Sequence, residues 1–517
     1  DRAEEARVKV KICISCRHYP IVDNHRTMEI NVDDHNHEDI ATYIKDHLFT
    51  DTVTWDAPDL GMWKRLVNEL IRQARGLFQW ARIIIPLIKR KALEGESPKD
   101  IRRWLSHVPS DLEDMYMYIL KYVIEHENRE QSFLFFQWVC LADRPLTVTE
   151  MRYALVAKNA EVTLYPRQWE EIDGFVETDE RMKQKIKAFS GGLAEIVRRS
   201  SSNWTVHVVH QSVNDFLLAK GLAFLDELIS GMSPISNLRV LLQCQATLYR
   251  SCLAYLATEE VSQDNLHDLQ NNRKEDVLKH RPLLAYAAIN IFVHAEKAAG
   301  SRAGKVPNEI HILQHLIGRW AQIYQALKAY TTAFGQTGTT LFHIAAAVNL
   351  VDIIKDLASK NTNITDVDGD GNSALHIAAI RGRITVAEIL RQNGAHLEAR
   401  NRNEKTPLAE AAGHGQVEFV EWLLNKGANI NAPIGETGGA LEAASLRGRE
   451  DIVRALLRAG ANVNAPGGHY GNALQAASSE GNGDIVQILL EAGANVNAQG
   501  GYYGNALQAA SFMDQED

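Results

Sequence analysis

From about residue 338 to its end, this chain repeats itself every 33 residues. The segments LFHIAAAVNLVDIIKDL (341–357), ALHIAAIRGRITVAEIL (374–390), PLAEAAGHGQVEFVEWLL (407–424), ALEAASLRGREDIVRALL (440–457) and ALQAASSEGNGDIVQILL (473–490) align without gaps. His343, His376, Ala409, Glu442, Gln475 and Gln508 share one position of the period; Gly394, Gly427, Gly460 and Gly493 share another. Such a period means a solenoid, in which each small unit buries its apolar face only against its neighbours. Thr340, Ser373 and Thr406 stand where a first helix needs an N-cap acceptor, and Asn472 and Asn505 can serve later. The Ala-rich first helix can approach its neighbours closely. The second, such as DIVRALLRAG (451–460), carries an apolar stripe at helical spacing, and the glycine after it suits a left-handed C-cap. Gly-Ala-Asn then leads into a polar hairpin loop. The pattern predicts helix–turn–helix–loop, with about five full units and the start of a sixth. The chain ends GNALQAASFMDQED where a second helix should follow, so either truncation or an acidic cap is expected there.

These units resemble the ankyrin repeat, which implies a protein-binding surface made of loop tips and inner helices. GGHYGNALQAAS and GGYYGNALQAAS are near-identical neighbours. Their Tyr470, Tyr502 and Tyr503 read equally as aromatic anchors at an interface or as loop packing. For His343 and His376 a metal role would need further ligands close by. The ankyrin pattern instead implies a hydrogen-bonding staple between repeats.

Composition adds exclusions. A chain of 517 residues has room for three or more domains. The formal charge is -10, and from 338 onward 13 basic face 21 acidic side chains. An acidic surface argues against nucleic-acid binding, which needs a basic face to displace counterions. No apolar run is long enough to cross a bilayer; ARIIIPLI (81–88) and FLFFQWVCLA (133–142) read as core. No signal peptide is visible, and five cysteines are a sparse set that fits a reducing, cytoplasmic (intracellular) compartment. Cys13 and Cys16 are spaced like a metal or redox pair, yet on a strand they face opposite ways and no second pair completes a zinc site.

The remainder reads as mostly α. KICISCRHYP (11–20) and RTMEINVDD (26–34) contain alternating, strand-like runs. HEDIATYIKDHL (37–48) is an amphipathic helix. LVNELIRQARGLFQWARIIIPLIKRKALEG (66–95) is helical, with interruptions expected at Gly76 and Pro86. SPKDIRRWL (97–105) starts with Ser97 as N-cap and Pro98 in the first turn. Two helices fill 131–157, the second capped by Thr147 or Thr149. GGLAEIVRRS (191–200) and NWTVHVVH (203–210) alternate across SSN as a β-hairpin. Helices followed by one hairpin predict a winged helix, and 226–335 reads as a helical spacer.

In order, KICISCRHYP, RGLFQWARIIIPLI, SDLEDMYMYIL, RPLTVTEMRYAL and VVHQSVNDFLL resemble the rear half of a NACHT-type (STAND) NTPase, of the ankyrin-bearing sort common in filamentous fungi. The resemblance covers about residues 8–300. It implies a remnant of the nucleotide-binding α/β sheet at 1–36, a helical lid at 37–128, a winged helix at 129–225, a helical spacer at 226–335 and ankyrin repeats at 338–517. It also implies that Arg17 senses a γ-phosphate and that His210 contacts ADP in the resting state. Gly76, before Leu77 and Phe78, stands where the family has Gly-x-Pro under the adenine; here Phe replaces the proline. ATP or ADP with Mg would be the family's cofactors. The plainer readings make Arg17 a strand-end ion pair and His210 a partner of Asp215 or of backbone.

A P-loop, GxxxxGK[ST], cradles phosphates on backbone N–H groups, and none occurs in this sequence. GSRAGKV (300–306) has one residue too few between its glycines and lacks the Ser/Thr. The chain is therefore expected to begin just after the P-loop and the acidic Walker B strand. DDHNHEDI (33–40) reads as a loop at a helix start, and no nucleophile has a positioned base. The expected function is a protein-interaction and regulatory protein of NACHT–ankyrin type, without catalysis or a cofactor of its own, binding a protein partner through its repeats. The alternative is an ATP/ADP-switched NTPase whose missing N-terminal half is supplied by a longer chain or a partner.

Overall fold

Apolar residues at helical spacing build nearly every element of this molecule. A computed structural model describes residues 37–48, 60–75, 77–157, 169–199, 203–232, 236–258, 268–269, 274–298, 310–327, 338–360, 363–432 and 438–513. It divides into two units, Asp1–Leu112 and Glu113–Asp517.

The first unit contains α1 (His37–Leu48), α2 (Leu60–Ala74), α3 (Phe78–Leu93) and α4 (Pro98–Leu105). Ile40, Ile44, Leu66, Leu70, Trp80, Ile84, Ile88 and Ile101 form its core. Ser97 caps α4 by accepting the Asp100 N–H at 3.3 Å, with Pro98 in the first turn. Contrary to expectation, Pro86 does not interrupt α3. It lies on an exposed side of the helix, where water can take the carbonyl that its missing N–H leaves open.

The boundary falls after the first residue of α5 (Leu112–Tyr118), and the second unit continues with α6 (Arg129–Leu141), α7 (Val148–Ala157) and α8 (Asp179–Ser190). Thr147, not Thr149, caps α7. Its Oγ1 accepts from the Glu150 N–H at 3.0 Å, and Glu150 Oε2 accepts the Thr147 N–H at 2.8 Å. A hairpin of β1 (Ala194–Arg198) and β2 (Trp204–Val208) pairs antiparallel, Ala194 opposite Val208. Thr147 bridges Thr205, so the chain before α7 runs beside β2. The helices α9 (Gln211–Phe216), α10 (Leu222–Ser230), α11 (Asn237–Thr258), α12 (Lys274–His280), α13 (Leu284–Ala298) and α14 (Ile310–Leu327) follow. Fully buried His294 joins α13 to α11 by bonding Gln245 Oε1 at 2.7 Å, and it also bonds Tyr286 at 2.9 Å; burial lowers its pKa to about 3.

The helix pairs of the array come last. They are α15 (Leu341–Ala347) with α16 (Val351–Ser359), α17 (Ala374–Arg381) with α18 (Ile384–Gln392), and α19 (Pro407–Gly413) with α20 (Val417–Asn425). Then come α21 (Ala440–Leu446) with α22 (Glu450–Arg458), α23 (Ala473–Ser479) with α24 (Gly483–Glu491), and finally α25 (Ala506–Met513). Gly394, Gly427, Gly460 and Gly493 all follow second helices at φ of 89 to 99°. Each closes the same double bond pattern: Gly394 N–H to Arg391 O at 3.1 Å and Ala395 N–H to Leu390 O at 3.0 Å, repeated at 33-residue steps. Among the described residues, no helix is long and apolar enough to cross a membrane.

Candidate functional site

One position of the period ties each unit to the next. The Nδ1 of His343 accepts the Thr340 N–H at 3.1 Å, so its Nε2 carries the proton and donates to Asn372 O at 2.8 Å, 29 residues on. His376 repeats this with Ser373 N–H (3.1 Å) and Lys405 O (3.0 Å). Both rings are buried, which lowers their pKa and holds them neutral. At the same position Gln475 Nε2 donates to Gly504 O at 2.9 Å and Gly500 O at 3.1 Å. Glu442 inverts the polarity: its Oε2 accepts the Gly468 N–H at 3.1 Å. The carboxylate is 4 % exposed, and burial raises its pKa.

Glycines make room for the longer acidic and amide staples. A Cβ on Gly438, Gly471 or Gly504, each four residues before its staple, would sit 2.1–2.3 Å from the side chain of Glu442, Gln475 or Gln508. In the earlier units an Asx side chain closes the loop instead: Asp368 Oδ1 accepts the N–H of Asp370 and Asn372, both at 2.9 Å.

The two late loops, Gly467–Gly471 and Gly500–Gly504, each close by a backbone bond between their ends, at 2.6 and 2.8 Å. Tyr502 N–H donates to His469 O at 2.7 Å, fixing one loop against the next. The rings form a ladder. His469 stacks on Tyr502, with centroids 5.2 Å apart and planes at 20°. Tyr470 faces Tyr503 at 6.2 Å, and Tyr503 meets Phe512 at 5.1 Å. Tyr502 remains 69 % exposed, Phe512 50 %, and His469 is also exposed. The tyrosines thus pack on one another and still present ring surface outward. Burial and the nearby Glu480 carboxylate raise the Tyr470 pKa.

His210 lies elsewhere, at the N-cap of α9. Its Nδ1 accepts the Ser212 N–H at 3.1 Å and bonds the Ser212 hydroxyl at 2.7 Å, which in turn meets Tyr116 OH at 2.9 Å. Asp215 accepts from Gln211 at 2.8 Å. Arg17, Gly76, Cys13 and Cys16, both N-terminal strand-like runs and GSRAGKV lie outside the described residues. Sequence reading missed the Gly–staple pairing, although Gly438, Gly471 and Gly504 are themselves 33 apart. It also missed a ladder of side chains between loops. Asn431 Oδ1 accepts the Asn462 N–H (2.9 Å) and Asn464 Oδ1 the Asn495 N–H (2.7 Å), while Glu398 holds the same place for Asn429 (2.8 Å).

Stacked helix pairs with backbone-stapled loops define a tandem-repeat solenoid. A family model described as ankyrin repeats (3 copies) matches residues 305–401, 342–434, 396–467 and 437–500. The C-terminal part of the chain therefore carries ankyrin repeats, and such repeats point to protein–protein interaction. The first match begins at 305, inside the span read as spacer. No curated protein matches the chain.

Proposed function

We propose that this chain is a protein-interaction and regulatory protein of the NACHT–ankyrin signalling type, binding a protein partner on the loop tips and inner helices of its last repeats. The observation that carries the protein-binding part of the reading is the exposed aromatic ladder across two consecutive loops, since tyrosine is enriched among the few residues that dominate binding energy at protein interfaces. The order of α6, α7, α8 and the β1–β2 hairpin supports a winged helix before the repeats. The sequence holds no P-loop, so we assign no nucleotide hydrolysis to these residues alone. The test is affinity capture from the protein's own cell lysate with the wild-type chain beside a Tyr502→Ser/Tyr503→Ser chain. A partner retained by the first and depleted about tenfold by the second supports the proposal; equal retention by both contradicts it.

A second reading, an ATP/ADP-switched state with further residues supplied by a longer chain or a partner, is favoured by His210. With Nδ1 accepting a backbone N–H, the neutral ring keeps its proton on Nε2, the form that donates to a phosphate oxygen. Micromolar ADP binding that weakens on His210→Ala would establish that reading, and calorimetric silence with ADP would remove it.

A further inference from the structure

The ladder lies in a stretch of sequence poor in positive charge, with Arg447 the cation that acts on Tyr470. No lysine or arginine follows Arg458, whereas Glu480, Asp484, Glu491, Asp514, Glu516 and Asp517 do. Other aromatic rings of the molecule carry its own cations: Lys183 Nζ sits 4.4 Å from the Trp204 ring centre and Lys91 Nζ 5.1 Å from that of Trp104. Among the described residues, no cation sits over His469, Tyr502 or Tyr503. Electron-rich ring faces, outward exposure and the Glu480 carboxylate near Tyr470 together are the complement of a guanidinium group, which stacks on aromatic planes as well as pairing with anions.

A second observation points the same way. At the base of the Gly467–Gly471 loop lies a cleft lined by Ile430, Asn431, Leu441, Glu442, Asn462 and Val463. Glu442 is 4 % exposed, and its Oε1 makes no hydrogen bond of good geometry among the described residues, although the Tyr470 backbone N–H lies close enough to lower the carboxyl pKa. An unpaired buried carboxylate oxygen costs free energy, and a donor arriving with a partner would relieve that cost. Its other oxygen holds Gly468, which ties the buried carboxylate to the base of the aromatic loop.

Resting on the reading that these loops bind a protein, we propose that the partner presents an arginine-bearing segment, its guanidinium groups laid on His469 and Tyr502, with Glu480 and Glu442 as the acidic complement. A fluorescein-labelled alternating arginine–serine peptide, titrated into the full chain by anisotropy, tests this against a glutamate–serine peptide of equal length. The arginine peptide should bind and the glutamate peptide should not. Tyr502→Ser and His469→Ser should each weaken binding about 3- to 10-fold, Tyr502→Phe should preserve it, and Glu480→Gln should weaken it about twofold. Circular dichroism of each variant separates lost contact from lost fold. No binding of the arginine peptide, or binding that both serine variants leave unchanged, overturns the inference. If the peptide fails while Tyr502→Ser/Tyr503→Ser still loses a captured protein, only this inference falls and the proposed function stands. If neither responds, both fall.

Discussion

The early and late halves of the repeat array solve one problem with different chemistry. Between the first units the inter-repeat bond comes from His343 and His376, short rigid rings whose loops are closed by Asx side chains. Between the last units it comes from Glu442 and Gln475, longer side chains that fit because the residue four places earlier is glycine. The late solution frees the loop of side chains at its ends, and aromatic rings occupy its tip. The difference teaches that a fixed 33-residue spacing constrains where a bond is made, not which group makes it. The early half is built as scaffold, and the late half combines scaffold with an outward aromatic surface.

The largest effect should come from Gly471→Ala. The residue sits at φ +101°, and a Cβ would meet Gln475 Oε1 at 2.1 Å and Gly500 C at 2.9 Å. A loss of about 3 kcal/mol is expected in urea unfolding. The early half should break at His376→Ala, which deletes the Lys405 bond and leaves a small cavity, at about 2 kcal/mol.

Acidification should separate the halves by sign. Burial holds His343 and His376 below 6.5, so their contribution is complete above that value and is lost as pH falls through the folded pKa. Glu442 is held above 4.5, so its contribution is present at low pH and is lost as pH rises through the folded pKa. From pH 7 to pH 5, amide exchange corrected for intrinsic rate should therefore speed up at 341–347 and 374–381 relative to 440–446. A uniform change along the array would refute this pH contrast.

The smallest effect pairs two leucines of one position. Leu474 is 3 % exposed and Leu507 78 %. Leu507→Ala should cost under about 0.5 kcal/mol, against about 2 for Leu474→Ala.

Much of the array was legible because its period is long and its units are local. The N-caps at Ser373 and Asn472 and the C-terminal glycines could be placed without knowing any neighbour. The exposed outer face of the ladder was not legible. Tyr470, Tyr502 and Tyr503 read equally as packing or contact, since burial depends on how successive loops stack rather than on the tyrosines' own spacing. Pro86 misled for a related reason: a proline interrupts a helix only where its freed carbonyl cannot reach water. Before the repeats, α-helical periodicity predicted elements but not their partners. Nothing in HQSVNDFL announces that Ser212 links His210 to Tyr116, 96 residues earlier in the chain.

The most direct measurement is site-specific photo-crosslinking with benzoyl-phenylalanine at position 502 or at position 403, the exposed loop-tip position three periods earlier. The account predicts a discrete crosslinked partner from position 502 and none from position 403. A partner captured equally from both, or only from position 403, would contradict it.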